Sequence, residues 1–289
     1  MSQVILITGC SSGFGLLTAA RLASRGHRVV ATMRNLTKQQ ALLNELDQRN
    51  VQADILELDV TDPVSIRSVM SEIGAKYGHL DVLINNAGYG IGGFFEDLTN
   101  EEIREQMETN FFGALNVTRQ ALPLMRPQKK GKIINLSSVA GFTASPAFSA
   151  YNASKWALEG WSESLRHELR LFGIQVILIE PGTYKTKIFY ENAKYAGRFK
   201  NEESPYFERS RFLERRVKDY VDDCYKDPED VARCIEKVIR RRRPKFRNIP
   251  DIESQFMFTT RRILPFGLFS RLFELGLWNG FGKNKKSGE

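Results

Sequence analysis

Tyr151 and Lys155, in the stretch Tyr151-Asn152-Ala153-Ser154-Lys155, stand four residues apart. On a helix that spacing places both side chains on one face. A phenol ordinarily titrates near pH ~10 and releases its proton poorly at neutral pH, whereas an ammonium fixed nearby favours phenolate. Such a pair can exchange a proton with a substrate oxygen. The plainer alternative is a solvated lysine and a half-buried tyrosine that share a helix by coincidence, and the surrounding motifs bear on that choice.

Stepping towards the amino terminus, Val4-Ile5-Leu6-Ile7-Thr8 is a continuous β-branched and aliphatic run. It is followed at once by Gly9-Cys10-Ser11-Ser12-Gly13-Phe14-Gly15, and then by a good helix former with an apolar stripe, Leu16 to Ala23. Strand, glycine turn and helix in that order suit a dinucleotide. Glycines let the backbone approach a pyrophosphate, and the helix start offers unpaired N–H groups and a positive dipole end. The spacing is Thr-Gly-x-x-x-Gly-x-Gly, a variant of the general Gly-x-Gly-x-x-Gly fingerprint.

The second strand, His27 to Met33, runs into Arg34-Asn35, about where an acidic residue would hold the ribose 2′-hydroxyl of NAD. The planar fork of Arg34 suits a 2′-phosphate instead, so NADP(H) is the expected cofactor. A third strand is expected over Ile55 to Asp62, with Asp59 and Val60 at the adenine. A fourth, Leu80 to Asn85, runs into the turn Asn86-Ala87-Gly88. Open parallel sheets bind ligands at the carboxyl ends of their strands, where these residues fall.

With these motifs assembled, the chain resembles the main branch of the short-chain dehydrogenase/reductase family. The resemblance rests on Thr8 to Gly15, Asn85 to Gly88, Asn110 in Glu108-Thr109-Asn110-Phe111-Phe112-Gly113, and Ile133 to Ser138. It continues through Tyr151 to Lys155 and Glu180-Pro181-Gly182 with Thr186, all in the family's order over roughly the first 190 residues. It implies a single doubly wound Rossmann-type α/β fold, a parallel sheet with helices on both faces. It also implies Tyr151 as proton donor or acceptor, Lys155 as the group that lowers its pKa and holds the nicotinamide ribose, and Ser138 as the group that orients the substrate oxygen. Asn110 would shape a helix and hold a relay water. Ser138 is preferred to Ser137 because it lies thirteen residues before Tyr151, as in the family. The implied cofactor set is Gly9, Ser11, Ser12, Gly13, Phe14, Gly15, Arg34, Asp59, Val60, Asn86, Ala87, Gly88, Tyr151, Lys155, Pro181, Gly182 and Thr186. Homodimers or homotetramers are usual in the family. Phe14, where isoleucine or leucine is more common, and Cys10, read as a buried inert thiol, are small departures.

The bulk composition fits one α/β domain: 289 residues, 42% of them hydrophobic. Helices are expected near 13–25, 37–48, 62–78, 99–126 and 148–172. Three cysteines and three histidines have neither disulfide nor zinc-site spacing. The chain opens directly into a strand, so a reducing cytoplasmic setting is expected. The net charge of +8 is uneven. Residues 1–184 carry 17 Lys and Arg against 18 Asp and Glu, and residues 185–289 carry 25 against 16. The densest run, Arg240 to Lys245, is read as a basic helix end before a last strand near Phe246 to Ile249, and not as a nucleic-acid patch.

Residues 1–250 form the expected catalytic unit, with a substrate-lid insertion at 187–225. In that insertion Tyr206, Phe207, Phe212, Leu213, Val217, Tyr220 and Val221 suit a helix covering a pocket. Phe142, Phe148 and Tyr184, with Ser138 and Tyr151, are the expected substrate contacts, and Phe94 and Phe95 are expected to add to the wall. An apolar cleft favours a lipophilic ketone or secondary alcohol, and the loop also resembles those of 17β-hydroxysteroid and retinol dehydrogenases. The alternative is a non-enzymatic NADP-binding regulator or membrane-surface scaffold. The tail, 251–289, is apolar and aromatic, interrupted by Arg261, Arg262, Arg271 and Glu274. It is read either as a peripheral membrane contact or as a cover over the cleft or a subunit partner.

Overall fold

The computed structural model describes residues 2–186, 193–279 and 281. Its sheet consists of β1 (Val4–Ile7), β2 (Arg28–Met33), β3 (Asp54–Glu57), β4 (Val82–Asn85), β6 (Gly131–Leu136), β7 (Ile174–Ile179) and β9 (Arg247–Asn248). These pair in parallel in the order β3-β2-β1-β4-β6-β7-β9. The order reverses between β1 and β4, which opens a crevice at the carboxyl ends of those strands. A separate parallel pair joins β5 (Ile91–Gly92) to β8 (Lys194–Tyr195).

β1 is buried at every position. A strand with neighbours on both edges and helices on both faces has no solvent side, so its sequence is apolar without alternation. On one face α1 (Gly13–Ser24), α2 (Gln40–Gln48) and α8 (Glu229–Arg240) pack Leu16, Ala19, Leu42 and Ile235 against Ile5 and Ile7. On the other, α3 (Pro63–Tyr77), α5 (Gly113–Met125) and α6 (Ser149–Leu169) pack Ile66, Val117 and Leu165 against Val4 and Leu6.

Two expectations change. The third strand stops at Glu57, well short of Asp62, because Asp59 accepts from the backbone N and Oγ1 of Thr61 at 2.9 and 2.7 Å. That local turn competes with the ladder, and Asp62 then caps α3 ahead of Pro63. The helix expected over 99–126 is divided into α4 (Asn100–Met107), a π turn over Glu108–Phe112 and α5. The lid contains α7 (Phe207–Asp222), and the tail forms α9 (Ile252–Ile263) and α10 (Phe266–Leu277). Lid positions 187–192 lie outside the described residues, and no helix among the described residues is long and apolar enough to cross a membrane.

Candidate active site

α6 places Tyr151, Lys155 and Glu159 at intervals of four, so all three project from one face. Lys155 is buried, donates to the Leu136 carbonyl at 2.7 Å, and holds its Nζ 5.8 Å from the centre of the Tyr151 ring. Burial pulls the Lys155 pKa down to about 8, while Glu159 pulls it up. Burial also raises the Tyr151 phenol above its ordinary value, and the hydrogen bond with Ser138 works in the opposite direction. Burial thus acts on the phenol in the direction opposite to the expected lowering by Lys155. It is the largest influence on the phenol, and the Lys155 ammonium is itself engaged by the Leu136 carbonyl.

The two serines after β6 face different partners, as strand alternation requires. Ser138 reaches Tyr151 and accepts from the Ala140 N–H at 3.2 Å, whereas Ser137 donates to Glu159 Oε1 at 2.7 Å. Asn110 lies in the π turn and is buried. It accepts from the Tyr89 N–H at 3.0 Å and donates to the Tyr89 carbonyl at 2.8 Å and Ser154 Oγ at 3.1 Å. A wider turn re-aims one side chain out of the helical register. Here it ties α5, α6 and the loop after β4 together.

The cofactor crevice can be tested by what its glycines exclude. A Cβ on Gly15 would lie 2.4 Å from both Asn86 Nδ2 and the Gly9 carbonyl oxygen, and one on Gly9 would lie 2.8 Å from Ala87 Cα. Gly9 and Gly13 also have φ of +75° and +58°, which suits glycine. A Cβ on Gly13 would meet Thr186 Cβ at an ordinary contact distance of 3.9 Å. The first turn of α1 contains no acidic side chain, leaving its positive end uncompensated. A loop this tight at a helix amino terminus fits a dinucleotide pyrophosphate.

The other expected cofactor residues divide by what their side chains already hold. Asn86 donates to the Thr8 and Gly9 carbonyls at 2.8 and 3.0 Å, and the Ala87 N–H donates to Thr8 Oγ1. These residues, with Gly88 packed on Asn110, shape the crevice and leave little amide to offer a ligand. Asp59 is engaged by Thr61, and Val60 packs closely on Gly113. Arg34 is exposed and makes no ion pair or hydrogen bond among the described residues; its one resolved electrostatic neighbour is Tyr89. Cys10 is fully buried, and burial pushes its thiol up to about 12. Ser11 and Ser12 form the loop tip that leads into α1.

A predominantly apolar cavity of about 320 Å³ opens beside Tyr151. Its wall includes Phe14, Gly88, Ser138, Phe148, Tyr151, Lys155, Pro181, Gly182, Tyr184 and Thr186. The lid adds Val217, Tyr220 and Val221. Phe142 is not in that wall; it packs edge-on against Phe258 of α9, 5.1 Å between centres. Phe94 stacks on Tyr206 and Phe95 is exposed, so neither serves as wall. Tyr89 and Lys194 were missed: both line the cavity, with Lys194 Nζ 4.3 Å from the Tyr89 ring centre. Tyr89 follows the Asn86 to Gly88 turn directly and was within reach of motif reasoning. Lys194 depends on the two-residue β5–β8 pairing, which leaves no periodic signal. A larger polar cleft, about 820 Å³, lies at the opposite end of the sheet among His27, His79 and Lys132, away from the strand ends where the groups above converge.

Behind the site, Arg247 bridges two carboxylates, Glu159 Oε2 at 2.6 Å and Glu180. Glu180 is fully buried just before Pro181, and burial together with Glu159 raises its pKa despite Arg247.

Residues 3–196 match the family model described as short chain dehydrogenase. The chain is 39% identical over 285 residues to the uncharacterized oxidoreductase YusZ of Bacillus subtilis, covering 98% of each. It is 38% identical over 248 residues to a 3-ketodihydrosphingosine reductase of Bacteroides thetaiotaomicron, covering 85% of this chain and 86% of that protein. A short chain dehydrogenase/reductase from Burkholderia phymatum, solved with NAD, superposes with a TM-score of 0.78 at 26% identity, covering 91% and 92% of the two chains. A metagenomic short-chain oxidoreductase solved with NADP gives 0.68 at 27%, covering 86% and 97%.

Proposed function

We propose that this chain, which belongs to the short-chain dehydrogenase/reductase family and is an oxidoreductase using a nicotinamide dinucleotide, prefers NADP(H) and interconverts lipophilic ketones and secondary alcohols. The observation that carries this reading is the apolar cavity with Tyr151 and Ser138 in its wall and Lys155 below them. When bound, the reduced nicotinamide supplies a hydride. The protein's part is positional and protic. Ser138 and Tyr151 together can hydrogen-bond a carbonyl oxygen, and Tyr151 can deliver its proton as negative charge develops there. A phenol kept protonated by burial begins the reductive direction in the state needed for donation. Phe14, Phe148 and Tyr184 offer apolar contact and most of the surface that faces the cavity is apolar, which supports a steroid-, retinoid- or lipid-like substrate over a sugar.

The cofactor preference rests on Arg34, exposed at the end of β2 with its guanidinium available for a 2′-phosphate. Arg34→Ala should weaken NADPH by about ten- to a hundredfold, the scale of a charge-assisted hydrogen bond, with little change for NADH. Fluorescence titration of both cofactors checks this; equal losses would remove the 2′-phosphate assignment.

A further inference from the structure

α9 and α10 carry an apolar surface that the rest of the described chain leaves uncovered. Ile252, Phe256 and Ile263 recur at spacings that keep them on one stripe of α9, and Leu268, Leu272 and Leu275 do the same on α10. These six side chains, with Phe266, are between 47% and 83% exposed. The tail is not adrift, because its other side is docked. Asp251 caps α9 and accepts from the Gly182 N–H at 3.0 Å. Leu277 and Trp278 pack near Leu213 and Phe212 of α7, and Arg216 donates to the carbonyls of Gly276 and Asn279 at 2.8 and 2.9 Å. With one side anchored, the outward stripes are a fixed feature of the surface. Large apolar side chains exposed in such stripes mark an interaction site.

Its charge narrows the partner. Arg262 and Arg271 stand exposed on the same helices, and Arg261 lies over the rings of Phe266 and Phe269 at 4.7 and 5.4 Å. Of the acidic side chains on these two helices, Glu253 is paired with Lys226 and Glu274 is exposed. Leucine and phenylalanine stripes edged by arginine are the composition of helices that lie in the headgroup layer, where arginine stems follow the apolar face and their heads reach phosphate. A second copy docked face to face would instead set arginines against arginines.

We propose that the exposed face of α9 and α10 docks on an anionic lipid bilayer. It would do so without spanning it, and through α7, whose Val217, Tyr220 and Val221 line the cavity, it would hold the cavity near the phase where lipophilic compounds concentrate. Only this last clause rests on the proposed function.

The test is flotation of the full chain with vesicles of phosphatidylcholine alone and with phosphatidylglycerol added. The wild type should float with the anionic vesicles, with a bound fraction lower by about tenfold on the neutral ones, as several arginines near a charged surface imply. A Phe256→Ser, Leu268→Ser, Leu272→Ser, Leu275→Ser variant should lose that flotation while its turnover of a short water-soluble ketone is unchanged. Substitution is preferred to truncation because Asp251 and Ser254 pack on Gly182. Wild type that stays unbound with both vesicles overturns the proposal. So does a variant that binds as well as wild type, or one whose only change in light scattering is loss of a dimer. Flotation without ketone turnover would leave the surface assigned and remove only the substrate reading.

Discussion

Tyr151→Phe should lower kcat for ketone reduction by about 10²–10⁴, the usual contribution of a positioned general acid, while the dissociation constant for NADPH stays within about twofold, an allowance well inside the tenfold that 1.4 kcal/mol represents. The substitution keeps the ring against Gly90 and removes only the hydroxyl shared with Ser138. Lys155 remains on the Leu136 carbonyl, so the crevice floor should not collapse. Single-turnover kinetics with cofactor titration on one preparation separate the two effects. Turnover equal to wild type would remove Tyr151 from the chemistry, and a parallel loss of cofactor affinity would recast it as a binding group.

Arg247→Met should destabilise the fold by about 3 kcal/mol, the lower end for stripping one partner from a buried ion cluster, because this guanidinium is partly exposed. Methionine keeps the packing near Phe258 but leaves Glu159 and Glu180 facing each other. Glu180 already has a raised pKa in the folded state, and losing the cation raises it further. The folded variant then holds a proton that the unfolded chain has released above the ordinary carboxylate range. Wild type holds the same proton up to its own Glu180 value of about 8, so the deficit should stay nearly constant from about pH 5 through neutrality and grow only above about 8, where wild type releases the proton and the variant does not. Glu180→Gln in the same chain should recover most of the loss, a non-additivity that urea unfolding at two pH values measures. The cluster also reaches the chemistry. Glu159 pulls Lys155 upward, so Glu159→Gln should shift the alkaline limb of kcat/KM, expected near the Lys155 value of about 8, to lower pH.

The parts of this molecule legible in sequence are those whose physics is local. Val4 to Ile7 reads as a buried strand because both faces are covered, and Gly9 and Gly15 read as a cradle because their neighbours leave no room for a Cβ, while Gly13 is fixed by its positive φ. Tyr151 and Lys155 share a face by helical geometry alone. The remainder depended on contacts between distant segments. Arg247 meets Glu159 across 88 residues and Glu180 across 67, from a strand too short to show a period. Phe142 looked like substrate wall until α9 brought Phe258 against it. Asp59 is expected at the adenine from its place after the third strand, but Thr61, two residues on, claims its carboxylate. The apolar spacing of α7 did not reveal that Val217 and Val221 turn to the cavity while Phe212 and Leu213 turn to the tail.

The most direct test of the whole account supplies NADPH deuterated at its transferable position to the wild-type enzyme with a panel of long-chain ketones, steroids and retinoids, and analyses the products by mass spectrometry. Hydride transfer to a ketone requires an alcohol carrying one deuterium on the former carbonyl carbon for at least one lipophilic member of the panel. NADPH binding with no labelled alcohol from any of them would contradict it.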